Sequence, residues 1–170
     1  CNYRCVFCYQ TDQTFSKNKS VHMGSMGLEM YKSIVDQAVG KIELLSLASR
    51  GEPLICKDFD KMMDYSIGKF LNLKVNTNAS LLTEKSCHAL LCGGASTVVF
   101  SADAAEEPLY SRLRVKGRLD KVLKNIERFQ TIREKEYRNT SIITRVSGVL
   151  VDEAQNMDGM KNLWGDLVDQ

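Results

Sequence analysis

Three cysteines stand at Cys1, Cys5 and Cys8, inside the opening CNYRCVFCY. Cys-x3-Cys-x2-Cys puts three thiolates on one short loop, where they can serve one metal centre. A structural zinc site closes its shell with four ligands, and no fourth Cys or His follows at a usual spacing. The two histidines are His22, in a polar loop and a zinc candidate, and His88, which reads as a surface or packing residue. A [4Fe–4S] cluster takes one Cys thiolate per iron. Three thiolates therefore leave one iron with an open position, which catalytic metal sites keep and structural ones close. On these residues alone, zinc and an iron–sulfur cluster both stand.

Other residues that could do chemistry fall at the ends of apolar runs. KIELLSLAS leads into Arg50-Gly51-Glu52-Pro53. LKV leads into Asn76-Thr77-Asn78. STVVF leads into Ser101 and Asp103, and the last apolar run carries Arg145. Turns need polar residues too, which would suffice for Asn76 and Asn78 alone. The full set beside three cysteines points to a site. Arg145 on an apolar strand is costly to bury unpaired; a ligand carboxylate or Asp103 would satisfy it. Glu52 suits either a ligand ammonium or the pinning of its own loop. Gly51 lets backbone approach a ligand closely, and Pro53 fixes the turn.

These residues need elements to hold them. Ser25 is expected to cap a helix running to about Val39, ended by Gly40. KIELLSLAS reads as a buried strand, followed by a helix from about Asp58 to Phe70. LKVNTNAS reads as a strand, and Thr83 as the cap of a helix with Gly93-Gly94 beyond its end. STVVFSAD is another strand. A helical region from about Glu107 to Glu136 is expected to break at Gly117, with Leu119, Val122, Leu123, Ile126 and Phe129 as its apolar stripe. SIITRVSGVLV is the last strand, and a helix from Met157 to Leu167 follows. Alternation of this kind predicts right-handed βαβ units and a parallel sheet, whose ligand sites sit at the C-terminal ends of the strands.

Composition is that of a globular chain: 170 residues, 44% hydrophobic and 26% charged. A net charge of only +2 gives no case for nucleic acid or a membrane surface. No apolar run reaches bilayer length. The six cysteines read as reduced, in a cytoplasmic compartment, since periodic apolar segments supply a core without staples. Cys56, Cys87 and Cys92 read as small packing residues. Met62, Met63 and Trp164 read as core, and REKEYR as a solvated helix face. The chain starts on Cys1 without Met. It is expected to be a piece cut from a longer protein, with one strand before Cys1 and another after Gln170.

The cysteine spacing, with Phe7 just before the last Cys, resembles the signature of the radical S-adenosylmethionine (SAM) superfamily. Arg50-Gly51-Glu52-Pro53 resembles its Gly-Gly-Glu-Pro motif, with Arg50 at the first Gly. Asn76 to Asn78 resemble its third-strand Thr-Asn-Gly segment, with Ala79 at the Gly. The resemblance covers essentially the whole chain as one core domain, 1–170. It implies an α/β fold: a partial (β/α)6 TIM-like barrel of parallel strands, trimmed at both ends. It implies that Cys1, Cys5 and Cys8 bind three irons of a [4Fe–4S] cluster whose fourth iron chelates SAM. Reductive cleavage of SAM then gives a 5′-deoxyadenosyl radical that takes a hydrogen atom from substrate.

By the same resemblance Gly51, Glu52 and Pro53 lie at the SAM amino group, with Asn78 beside them. Ser101 and Asp103 lie near the ribose, Arg145 reaches the carboxylate, and the Phe7 backbone meets the adenine. An electron donor such as a flavodoxin or ferredoxin is implied as partner, with a peptide or small molecule as substrate. The closing GVLVDEAQNMDGMKNLWGDLVDQ looks like enzymes that carry a C-terminal SPASM region. A zinc-binding α/β domain serving structure, and an iron–sulfur electron-transfer module, are the alternatives from other classes.

Overall fold

A computed structural model of the chain describes residues 1–17, 24–47 and 50–170. His22 and the end of the first strand run, Ala48-Ser49, lie outside the described residues. Four strands form one parallel sheet in the order β2–β3–β4–β6: β2 Leu44–Leu47, β3 Asn72–Thr77, β4 Thr97–Ser101 and β6 Ile143–Ser147. Helices alternate with them: α2 Leu28–Ala38, α3 Phe59–Ser66, α4 Glu84–Cys92, α5 Glu107–Leu113, α6 Leu119–Glu136 and α7 Met157–Trp164. A short α1, Gln13–Lys17, follows the cysteine loop. This is the α/β fold the alternation predicts, as an open part of a TIM-like barrel; the described strands do not close.

Strand period decides which face is which. Leu73, Val75, Val98 and Phe100 are buried against Phe59 and Met63 of α3, Leu90 of α4, and Val122, Ile126 and Phe129 of α6. The opposite face carries Lys74, Asn76, Val99, Ser101, Arg145 and Ser147; the register sets Asn76 beside Val99, Val99 beside Arg145, and Ser101 beside Ser147. The open face is thus the more polar one. Gln170 extends the pattern at the β6 edge. Its N–H donates to Thr144 O and its carbonyl accepts from Val146 N, bracketing Arg145 as a parallel partner does.

Local chemistry explains most boundaries. Thr83 Oγ1 accepts from Ser86 N, and α4 ends at Gly93 as read. Some boundaries depart from expectation. Ser25 does not cap α2; Gly27 does, without a side-chain bond. α3 stops at Ser66, because Gly68 has a φ of 69°, in the left-handed region. The long helical region breaks into two around Gly117 as read, with α5 ending at Leu113 and α6 beginning at Leu119. The break holds an unforeseen two-residue strand β5, Arg114–Val115, which pairs antiparallel with β1, Arg4–Cys5. The cysteine loop is anchored there. Among the described residues no helix is long and apolar enough to cross a membrane.

Candidate active site

At the C-terminal end of the sheet, on its open face, lies a cavity of about 280 Å³. All three loop cysteines line it, with Phe7, Arg50, Gly51, Glu52, Asn76, Asn78, Ser101 and Arg114 among the other walls. Six chain segments converge: the cysteine loop, the turn after β2, the ends of β3, β4 and β6, and β5. Among the described residues no fourth Cys and no His lines the cavity. All six cysteines are free thiols. Burial pushes the Cys5 thiol up from its ordinary value, and the Arg114 guanidinium opposes that.

The turn after β2 is built for close approach. Gly51 has a φ of 92°, which costs a residue with a Cβ about 1–2 kcal/mol. Pro53 opens a short 3₁₀ turn, Pro53–Ile55. Glu52, 7% exposed, spends its carboxylate on the protein: it accepts from Thr77 Oγ1 at 2.6 Å, Asn78 N at 2.7 Å and Leu54 N at 3.2 Å. Burial still lifts its pKa above the ordinary carboxylate value. Of its two readings, pinning the loop is the one these bonds carry out. Arg50 lies over the Tyr9 ring at 5.4 Å.

Residues not singled out from sequence tie the cysteine loop to β3. Asn78 Nδ2 donates to Asn2 Oδ1 at 2.9 Å, Asn2 Nδ2 donates to Ser80 Oγ at 2.8 Å, and Ser80 donates back to Asn78 Oδ1 at 2.6 Å. Asn78 Nδ2 also lies 3.9 Å from Cys1 Sγ. Ala79, at the usual Gly, has a φ of 56° and is fully buried. Asn76 Oδ1 is buried in the cavity wall with no donor among the described residues, leaving an acceptor for a ligand.

Three expected site residues stand elsewhere. Asp103 does not line this cavity; it is 1% exposed and lies behind Arg114. Its Oδ2 sits 2.5 Å from Arg114 Nε, off the N–H axis, so the contact is an ion pair rather than a hydrogen bond. Its Oδ1 accepts from Val149 N at 2.8 Å. The arginine that pairs with Asp103 is therefore Arg114, not Arg145. Arg145 is exposed on the open face, in the layer below Ser147, and does not reach the cavity wall. Pro53 lines the adjoining hollow on the far side of the Gly51-Glu52 turn.

Comparison with known proteins agrees with this geometry. The sequence profile of the Radical SAM superfamily matches residues 1–157. A GTP 3',8-cyclase of Clostridium botulinum is 32% identical over 165 residues, covering 92% of this chain and 49% of the relative. A GTP 3',8-cyclase of Saccharophagus degradans is 30% identical over 130 residues, covering 75% of this chain and 38% of the relative. Among solved structures, Streptococcus suis SuiB bound to precursor peptide SuiA superposes with a TM-score of 0.74 at 18% identity, over 98% of this chain and 34% of that one. Native anSMEcpe with bound AdoMet gives 0.69 at 16% identity, over 98% and 45%. The chain spans about half the length of the curated relatives it matches. With three cysteines, the Gly51-Glu52 turn and the strand ends on one cavity, and a family match over most of its length, the chain belongs to the Radical SAM superfamily.

Proposed function

We propose that this chain is the core of a radical SAM enzyme, with Cys1, Cys5 and Cys8 holding the cluster and the cavity beside them holding SAM. The family's cofactors are a [4Fe–4S] cluster and SAM. The residues present fit them. Three thiols and no further soft ligand among the described residues line the cavity, which leaves one iron of a four-iron cluster free. Gly51 admits a close ligand, Asn76 Oδ1 awaits a donor, and Arg50 and Arg114 offer positive charge to a carboxylate. When bound, the cofactors supply an electron and a 5′-deoxyadenosyl radical that removes a hydrogen atom from substrate. The chain's own share is positioning and exclusion. Glu52 fixes the turn against β3, the Asn2–Asn78–Ser80 bonds fix the cysteine loop, and Ser101 and the Phe7 backbone flank the ligand. Asp103 acts through Arg114.

The single observation that carries this reading is the placement of all three cysteines on one cavity with the Gly51-Glu52 turn. Anaerobic reconstitution with iron and sulfide tests it. A brown protein that forms 5′-deoxyadenosine from SAM under dithionite is the expected result, and Cys5→Ala removes both colour and product. A colourless protein holding stoichiometric zinc sinks the reading. Cluster absorption without SAM cleavage makes it an electron-transfer module instead.

The substrate is read as anionic. Lys74 and Arg145 share the open face below the cavity, and among the described residues neither has an ion-pair partner. Relatives named GTP 3',8-cyclase point the same way, while the peptide-bound SuiB keeps a peptide in view. GTP is the first probe, and Arg145→Met is expected to weaken its binding at least tenfold.

A further inference from the structure

A cation stands directly across the ladder from one of the three thiols. β1 and β5 pair antiparallel with Cys5 opposite Arg114. Side chains directly opposite leave the same face with Cβ atoms about 4.5–5.5 Å apart. Both residues line the cavity. Arg114 is 6% exposed and held from two sides, by Asp103 Oδ2 at 2.5 Å and by the Phe7 ring at 5.8 Å. Asp103 is itself fixed by Val149 N. The guanidinium therefore cannot swing into water. Well-packed hydrophobic residues often serve stability as well as a buried ion pair or better, so a pair kept beside a metal-ligand candidate asks for a use in the site.

We propose that Arg114, oriented by Asp103, is a positioning residue that raises the reduction potential of the cluster held by Cys1, Cys5 and Cys8. The proposal rests on the reading above that these cysteines hold a cluster. Reduction adds one electron to a site already made negative by its thiolates. A fixed cation nearby stabilises the reduced form more than the oxidised one. Net charge around a cluster, sulfur hydrogen bonds and solvent exposure are what set such potentials. Arg114 supplies the charge and, with Phe7, part of the dry wall. Asp103 tempers the effect, since its negative charge lies behind the guanidinium. Neutralising the two partners must then move the potential in opposite directions, which loss of packing alone would not do.

The test is a mediated redox titration of the reconstituted full chain without SAM, reading the paramagnetic signal of the reduced cluster. Arg114→Met is expected to lower the reduced-to-oxidised ratio at fixed poise on the order of tenfold, the Coulomb effect of one charge at this range. Tenfold is about 59 mV for a one-electron couple. Arg114→Lys keeps the charge and stays nearer wild type than Arg114→Met. Asp103→Asn raises the potential. An Arg114→Met cluster with the wild-type potential overturns the proposal, as does an Asp103→Asn cluster with an unchanged or lower one. If Arg114→Met takes up no cluster, the Asp103→Asn result decides alone. A wild-type chain that takes up no cluster overturns the cysteine reading and this proposal with it; a wild-type cluster indifferent to both substitutions overturns this proposal only.

Discussion

Glu52 Oε1 receives the Thr77 hydroxyl at 2.6 Å, so the turn after β2 is latched to the end of β3 beneath the cysteine loop. The same carboxylate also takes Asn78 N and Leu54 N. Glu52→Ala leaves these donors without their acceptor and is expected to destabilise by about 2–6 kcal/mol, at about 1–3 kcal/mol for each of the two buried donors, on Thr77 and Asn78. Glu52→Gln keeps one acceptor and loses less. Burial raises the Glu52 pKa from an ordinary 4.5. A raised folded-state pKa means stability fully present below the ordinary value and lost as pH rises through the raised one. The wild-type advantage over Glu52→Gln therefore narrows from pH 4 toward pH 8 in urea titrations. A gap that widens with pH contradicts this.

Among the described residues two non-glycine residues adopt left-handed backbone, and their surroundings predict different outcomes. Lys116 has a φ of 73° and is exposed. Lys116→Gly relieves the strain and loses no packing, so it is expected to stabilise by about 0.5–1 kcal/mol. Ala79 is also left-handed, but it is fully buried and its carbonyl accepts from Asn125 Nδ2 at 2.8 Å. Ala79→Gly gives up a buried methyl, worth about 0.8 kcal/mol, against a similar strain relief, and is expected to be nearly neutral. Ala79→Val adds branching where the backbone refuses it and costs at least about 2 kcal/mol. Denaturation midpoints of the three variants check the ranking.

Gly117 lies in the break between α5 and α6, and the atoms around it leave no room for a side chain. A Cβ there would lie 2.7 Å from Arg114 O and 3.0 Å from the rings of Tyr110 and Tyr3. Gly117→Ala is expected to cost about 1–3 kcal/mol through overpacking and to loosen β5, the partner of Cys5. Slower or weaker cluster uptake at unchanged helix content would mark it; full uptake at wild-type stability would show that the turn yields freely.

Residues with a local signal could be read in advance, and residues whose meaning lies in a distant partner could not. The βα alternation, the Thr83 cap and the α6 stripe follow from periods and caps, which short windows contain. β5 has two residues and no period, and its partner is far away in sequence, at Arg4–Cys5, so Arg114 passes for part of a helix. Asp103 looks like a ligand contact because it ends a strand, yet its ion pair takes it behind the wall. Arg145 obeys the period of two and shares a face with Ser147, but height along a strand is set by register, which the sequence alone does not state.

The remaining cysteines differ in reactivity, although all were read as packing residues. Cys87 is fully buried against the core and its thiol is pushed up to about 12 by burial. Cys92 is exposed at the end of α4, its Sγ 3.0 Å from Tyr137 Oη, so it departs from the packing role. The thiolate is the nucleophile, so at pH 8 Cys87 lacks both access and charge. Brief iodoacetamide treatment of the folded chain, followed by peptide mapping, is expected to label Cys92 and spare Cys87 until denaturant is added. Cys56, half-buried with its Sγ 3.8 Å from Met62 Sδ, falls between them. Labelling of Cys87 at the rate of Cys92 would mean that α4 opens from the sheet readily, and the core face of α4 would then have to be drawn differently.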